Sequence, residues 1–181
     1  WQSLKSHERK HIKINGESVV ELDYGSLHVH LAYSKLGIDY GQGNDPYSLD
    51  GFDKKYRNVI KLATLTSLNM KNEQYFAQTI TKRLQEDGLY IPNVPFNDIK
   101  RAILKKHYKI KEFFFSGVGL EFMYLDSCVT EYIIKKFTTQ KIPVLSIHDS
   151  YIVGKSYKKL LVEIMTSAFR YNKLNSIPVI K

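Results

Sequence analysis

Cysteine is nearly absent. A single thiol, Cys128, in 181 residues excludes an internal disulfide, and so sparse a use of cysteine suits a reducing compartment. No apolar run approaches the roughly 18 residues of a membrane-spanning helix, so no membrane partner is expected. No signal peptide, internal repeat or low-complexity segment is recognisable. Acidic residues are in deficit: 18 Asp and Glu face 27 Lys and Arg, a net charge of +9. That imbalance points to a polyanionic partner, nucleic acid before an anionic membrane surface, against the plainer alternative of a lysine-rich surface that serves solubility. What is present suffices for a packed domain. Hydrophobic residues make up 43% and aromatic residues 13% of the chain, which excludes disorder over most of its length. The length fits one medium domain, or one domain plus a small insertion. The sequence opens on Trp1 rather than Met, which fits either an excised fragment or a piece of a longer protein that carries further domains.

Periodicity divides the chain. Val19, Val20 and Leu22 in ESVVELDYGSL (17–27) read as a strand, with Asn15-Gly16 as the turn before it. LHVHLAYSKLG (27–37) has helical spacing and a C′ glycine in Gly37. A loop rich in Gly, Asp and Pro precedes helices over 54–70 and 72–87, the second ended by Gly88. The first is expected to bury Val59, Leu62, Ala63 and Leu65 or Thr66. A turn-rich connector, PNVPFND, leads to a short basic helix over 97–107. A long helix over 119–138 comes next, then two strands flanking His148-Asp149, and a closing helix over 156–172 with Ser156 as N-cap. The pattern is α+β. Strands near both ends must pair in one sheet, since neither alone can bury its faces. The expected division is a sheet-bearing part, 1–51 with 111–181, and a helical insertion, 52–110.

Three features carry chemistry. The first strand ends on Asp23. The helix over 54–70 presents Arg57 and Lys61 at i and i+4, on one face. In PVLSIHDSYIV (143–153), Asp149 sits near the tip between two apolar strands, where an ionised carboxylate is costly unless paired or bound to metal. If the two strands are neighbours, Asp23 and Asp149 face one another, and one must protonate or a cation must bind between them. Hard divalent ions such as Mg²⁺ take such oxygen ligands and complete their shells with water and phosphate. Two of them stabilise the attacking and leaving oxygens of a phosphoryl transfer, and Arg57 and Lys61 would neutralise a triphosphate. Each feature alone has a plainer reading: a strand-end Asp is a turn former, His-Asp between strands is structural, and Arg and Lys at i, i+4 are a solvated face. The lysines of LKKHYKIK (104–111) could follow a duplex backbone or simply be solvated. The FFF run at 113–115 reads as core, and Asp45-Pro46-Tyr47 as a plain turn.

Taken in this order and spacing, the segments resemble the palm and fingers of family A DNA polymerases and the related single-subunit RNA polymerases, from about Arg9 to Val153. VVELDYGSLHVHLAY resembles motif A, RNVIKLATLTSLN motif B, and SIHDSYIV motif C. Arg9 is a candidate for the family's arginine upstream of motif A, and Glu121 and Asp126 stand at the five-residue spacing that the family carries on the helix before motif C. The resemblance implies a palm-like antiparallel sheet packed with helices and a fingers-like helical insertion. It implies a template-directed nucleotidyltransferase using two Mg²⁺ ions, with Mn²⁺ as a substitute, and with a primer–template and nucleoside triphosphates as partners. It implies Asp23, Asp149 and the backbone carbonyl of Tyr24 as metal ligands, and Asp23, Asp149 and Lys61 as the catalytic set. Arg57, Lys61, His28 and Asn69 would contact the nucleotide, and Arg9, His148 and Glu121 the primer–template. The expected setting is cytoplasmic, in a bacterial or phage-encoded, nucleoid-associated protein.

The departures from the family's pattern concern the sugar and base pocket. His28 replaces a Glu of motif A and His30 an Arg. Leu65 replaces the aromatic and Asn69 the Tyr of motif B, and Ser150 follows the RNA polymerases in motif C. Two further readings stand beside the enzyme. One is a degenerate, non-catalytic polymerase-like module that binds nucleic acid, favoured by the altered motif B. The other is a metal-dependent nuclease, disfavoured by Arg57 and Lys61.

Overall fold

A computed structural model of the chain describes residues 1–88 and 93–181. Pro92, the first residue of the PNVPFND connector, lies outside the described residues. The fold is α+β, with a four-stranded antiparallel sheet. The chain forms two compact units, residues 1–43 with 123–181, and residues 44–122. The helical stretch 52–110 falls inside the second unit.

In the first unit the sheet runs in the order β1 (Lys13–Ile14), β2 (Glu17–Asp23), β4 (Ser150–Gly154), β3 (Leu145–Ile147). The strand expected over 17–27 therefore stops at Asp23. It is preceded by a short partner, β1, that the sequence pattern does not reveal. Asn15 and Gly16 join the two with φ of 52° and 81°. Left-handed geometry at both central residues is what a two-residue hairpin requires, and Asn-Gly adopts it at low cost. The two ends of the chain do share one sheet: Val19 pairs with Gly154, Val20 with Val153, Leu22 with Tyr151 and Asp23 with Ser150.

Leu22, Tyr151, Ile152 and Val153 are buried, and α7 (Lys158–Tyr171) packs against β2 and β4 with Leu161, Ile164, Met165, Ala168 and Phe169 inward. Full burial of each of the Leu, Ile, Val, Met and Phe side chains contributes about 1.5–3 kcal/mol. Ser156 does not cap α7. A 3₁₀ turn over Lys155–Tyr157 precedes the helix, and both the amide and the hydroxyl of Ser156 donate to the Glu17 carboxylate at 2.6 and 3.0 Å. The short helix α1 (Ser6–Arg9) lies before β1.

α2 (Leu27–Lys35) is buried almost all round. It ends as the sequence suggests: Gly37 takes φ 69°, and the Gly37 and Ile38 amides donate to Ser34 and Tyr33. The C-terminal segment lies beside β2, with Asp23 and Lys181 exchanging backbone hydrogen bonds at 3.0 Å in both directions.

The second unit is helical: α3 (Arg57–Asn69) packs against α4 (Phe76–Glu86) and α5 (Phe96–Lys106). α3 buries Val59, Ile60, Ala63, Thr64, Thr66, Ser67 and Leu68, while Leu62 and Leu65 are only half-buried. The buried face is thus turned from the expected one. Two of its hydroxyl residues are accommodated because their donors are used within the helix: Thr64 donates to Ile60 C=O and Ser67 to Thr64 C=O, both at 2.8 Å, whereas the Thr66 hydroxyl is buried without a hydrogen-bond partner. Phe113 and Phe114 are core, whereas Phe115 is half-buried at φ 59°. The loop before α3 is more than a plain turn. Asp45 binds Arg57, and the Pro46 carbonyl accepts from His107 at 3.0 Å. α6 (Gly119–Thr139) begins in this unit and continues into the first.

Candidate active site

The sheet register decides where the two aspartates stand. Asp23 is the last residue of β2 and pairs with Ser150, the first of β4. One step further, the Tyr24 amide donates to the Asp149 carbonyl at 3.2 Å. The backbone of Asp149, just before β4, therefore lies one step along from that of Asp23. Ile147 pairs with Ser150, so His148 and Asp149 are the whole of a two-residue hairpin turn. His148 takes φ 50°, the left-handed geometry such turns demand at their first position and one that His adopts more readily than most residues.

The side chains of the pair meet different surroundings. Asp23 lies between the buried Leu22 and Tyr24, so strand alternation turns it to the opposite face. There it lines a groove of about 1030 Å³ with Arg9, Glu21, Ser150 and Lys181. It is half-buried, and among the described residues its carboxylate has no hydrogen-bond or ion-pair partner. The charge of Asp149 is felt instead at Asp126, His28 and Tyr151. Burial is the main influence that raises the Asp126 carboxyl, to about 6, reinforced by the charge of Asp149 and opposed by His148. Asp126 Oδ1 is buried with no hydrogen-bond partner. Burial lowers the His28 pKa, and Asp149 partly offsets this.

Beneath these groups Tyr151 Oη and Thr130 Oγ1 pair at 2.7 Å, and Tyr24 Oη donates to the Met165 carbonyl at 2.7 Å. Burial drives both phenols well above their usual range, so they stay neutral. The Tyr24 side chain packs on Tyr151 and Phe169, which fixes the backbone beside Asp23. His148 is exposed and lines a shallow groove of about 600 Å³ with Asp126, Thr130 and Ser146.

Other expected site residues have partners of their own. Arg9 makes a bidentate pair with Glu21 (2.9 and 2.5 Å) and donates to the Leu4 carbonyl at 2.8 Å. Arg57, in the second unit, makes a bidentate pair with Asp45 (2.7 and 3.1 Å) and lies 5.6 Å from the centre of the Tyr47 ring. Burial works to raise the Asp45 carboxyl, but hydrogen bonds from Arg57 and the Tyr47 amide hold it below the usual range. Lys61 is exposed one turn further along α3. Asn69 closes α3 by donating to the Leu65 carbonyl at 2.7 Å, and Glu121 is exposed near the start of α6. His30 is a core residue: it pairs with Ser176 Oγ at 2.8 Å, lies edge-on to Tyr40, and burial lowers its pKa to about 4.

Asp126 is the functional candidate that motif spacing alone undersells. Within the first unit Val129, Ile133 and Phe137 form the buried stripe of α6, and Asp126 sits in phase with them. A carboxylate at a core position of an amphipathic helix is a legible signal, because burial without a partner disfavours it. As metal ligands, Asp23, Asp126 and Asp149 offer hard oxygen donors suited to Mg²⁺ or Mn²⁺. Among the described residues, however, no three His, Cys, Asp or Glu side chains converge as a ready-made metal-binding group. No helix of the described residues is long and apolar enough to cross a membrane. In comparison with known proteins, no family model matches the chain and no curated protein matches it.

Proposed function

We propose that the chain is a template-directed nucleotidyltransferase of the family A polymerase type, with a palm-like sheet and a fingers-like helical unit. One observation carries the reading. The β2–β4 register sets Asp23 one step along from Asp149 at the end of the sheet, and the half-buried Asp23 carboxylate has no partner of its own among the described residues. A half-buried carboxylate that faces a groove and has no protein donor is a ready ligand for a cation. Asp23, Asp149 and the Tyr24 carbonyl would hold divalent ions, with Asp126 behind them. Such ions would activate a primer hydroxyl and neutralise the charge on departing pyrophosphate. Lys61 and Arg57 would contact the triphosphate, His28 and Asn69 the nucleotide, and Arg9, His148 and Glu121 the primer–template.

Mn²⁺ binding, followed by electron paramagnetic resonance with and without a nucleoside triphosphate, tests this directly. Wild type is expected to bind Mn²⁺ more tightly with the triphosphate, and Asp23→Asn or Asp149→Asn to lose that binding. Binding that is absent, or indifferent to both aspartates, overturns the catalytic reading. Lys61→Ala is expected to abolish nucleotide incorporation and leave duplex binding nearly intact.

The second reading, a non-catalytic nucleic-acid-binding module, is favoured by the Arg57–Asp45 pair, which engages the guanidinium expected to meet the triphosphate. Primer extension separates the two.

A further inference from the structure

The groove beside Asp23 contains more positive charge than the motifs account for. One wall comes from α1 and the turn after it, with His7, Arg9 and Lys10. The floor is β2, and the far side holds Ser150 and Lys181. Arg9 is committed to Glu21. Lys10, Lys181 and His7 are exposed, and among the described residues none of them has an ion-pair partner. Lys181 is held at its base by the paired hydrogen bonds between its backbone and that of Asp23. Its side chain lies over Gly25: a Cβ built on that glycine would stand 3.3 Å from Lys181 Cε and 3.5 Å from Nζ. Gly25 thus leaves room for the Lys181 side chain to lie across it from a fixed backbone.

We propose that this groove is a track for the phosphodiester backbone of a nucleic acid strand, with Lys10 and Lys181 as its phosphate contacts and the Arg9–Glu21 pair as its rigid floor. The proposal rests on the nucleic-acid partner of the reading above, not on its metal. A backbone fits better than a free triphosphate. The unpaired cations come from separate segments of the chain that line one open groove of about 1030 Å³, and repeated phosphates suit charges held on separate segments. The recognition would carry no sequence preference, since no base-reading group is required for it.

The test is fluorescence anisotropy with a labelled primer–template duplex and the matching single strand, titrated over a range of salt. The proteins are wild type, Lys10→Gln, Lys181→Gln, the double variant, and Lys159→Gln as an exposed control on α7. Each groove substitution is expected to reduce affinity about five- to eight-fold near 0.1 M salt and to lower the salt slope by about one. The control is expected to match wild type. Mn²⁺ binding, measured on the same samples, should be unchanged by the lysine substitutions. Lysine variants that bind both probes as the control does overturn the proposal. If the lysine effect appears but wild type binds no Mn²⁺, the track stands and the catalytic reading fails. Lysine-dependent binding to phosphatidylserine vesicles with none to either nucleic acid probe also overturns it.

Discussion

Acid should destabilise this protein through a histidine that no catalytic reading uses. His107 follows α5, is fully buried, and has Nε2 3.0 Å from the Pro46 carbonyl. A carbonyl only accepts, so Nε2 carries the hydrogen in the neutral ring. Burial, with a smaller push from Lys106, lowers the pKa to about 4, against an opposing effect of the Pro46 hydrogen bond. The unfolded chain takes up the proton near pH 6.5, whereas the folded chain refuses it until about pH 4. The histidine's contribution is therefore complete above about pH 6.5 and is lost as pH falls toward 4. Between about pH 7 and pH 5 the linkage amounts to about 2 kcal/mol. Urea unfolding followed by circular dichroism at those two pH values measures it. His107→Gln keeps an N–H donor for Pro46 and cannot titrate, so the variant should lose about 2 kcal/mol less than wild type on acidification. Equal losses in the two proteins would refute the reasoning and place the protonation of His107 in the folded state near its ordinary value.

Three further outcomes follow from local geometry. A Cβ on Gly119 would stand 1.8 Å from Asn69 Oδ1, so Gly119→Ala should cost about 1–3 kcal/mol in thermal unfolding, and adding Asn69→Ala should restore most of it. Asp45→Asn breaks a half-exposed ion pair and should cost under about 1 kcal/mol, while the released Arg57 should bind a nucleoside triphosphate more tightly by calorimetry; unchanged affinity would mark Arg57 as structural. Asp126→Asn removes a charge that burial disfavours, so in chelator-containing buffer it should stabilise the protein by about 1–3 kcal/mol; a lower melting temperature would show that the carboxylate has a stabilising partner.

Much of the framework was legible because it rests on local rules. Asn15-Gly16 announces a hairpin and Gly37 a helix end. Alternating apolar residues about Asp23 and Asp149 mark two strands that need a common sheet. The less legible parts depend on tertiary partners. The two-residue β1 carries no periodicity. Ser156 has the chemistry of a cap, but Glu17, distant in sequence, engages both its amide and its hydroxyl. The buried face of α3 is turned, and Thr64 and Ser67 are acceptable inside because each satisfies its hydroxyl on one of the helix's own carbonyls. For the candidate site, the sequence named Asp23 and Asp149 but not their different side-chain surroundings, nor the nearness of Lys181 to Asp23, both of which depend on strand register. The Arg57–Asp45 pair joins two segments that each had a sufficient local explanation, so nothing in either demanded the other.

The hairpin turn at 148–149 also limits how this protein can vary by descent. Its first position demands a backbone geometry open mainly to Gly, Asn, Asp and His. Lengthening the turn would change its type and threaten to send the inward side chains of β4 to the other face. A lineage can therefore erase the carboxylate at Asp149 with one nucleotide change, and the position before it is one whose backbone geometry also admits an aspartate.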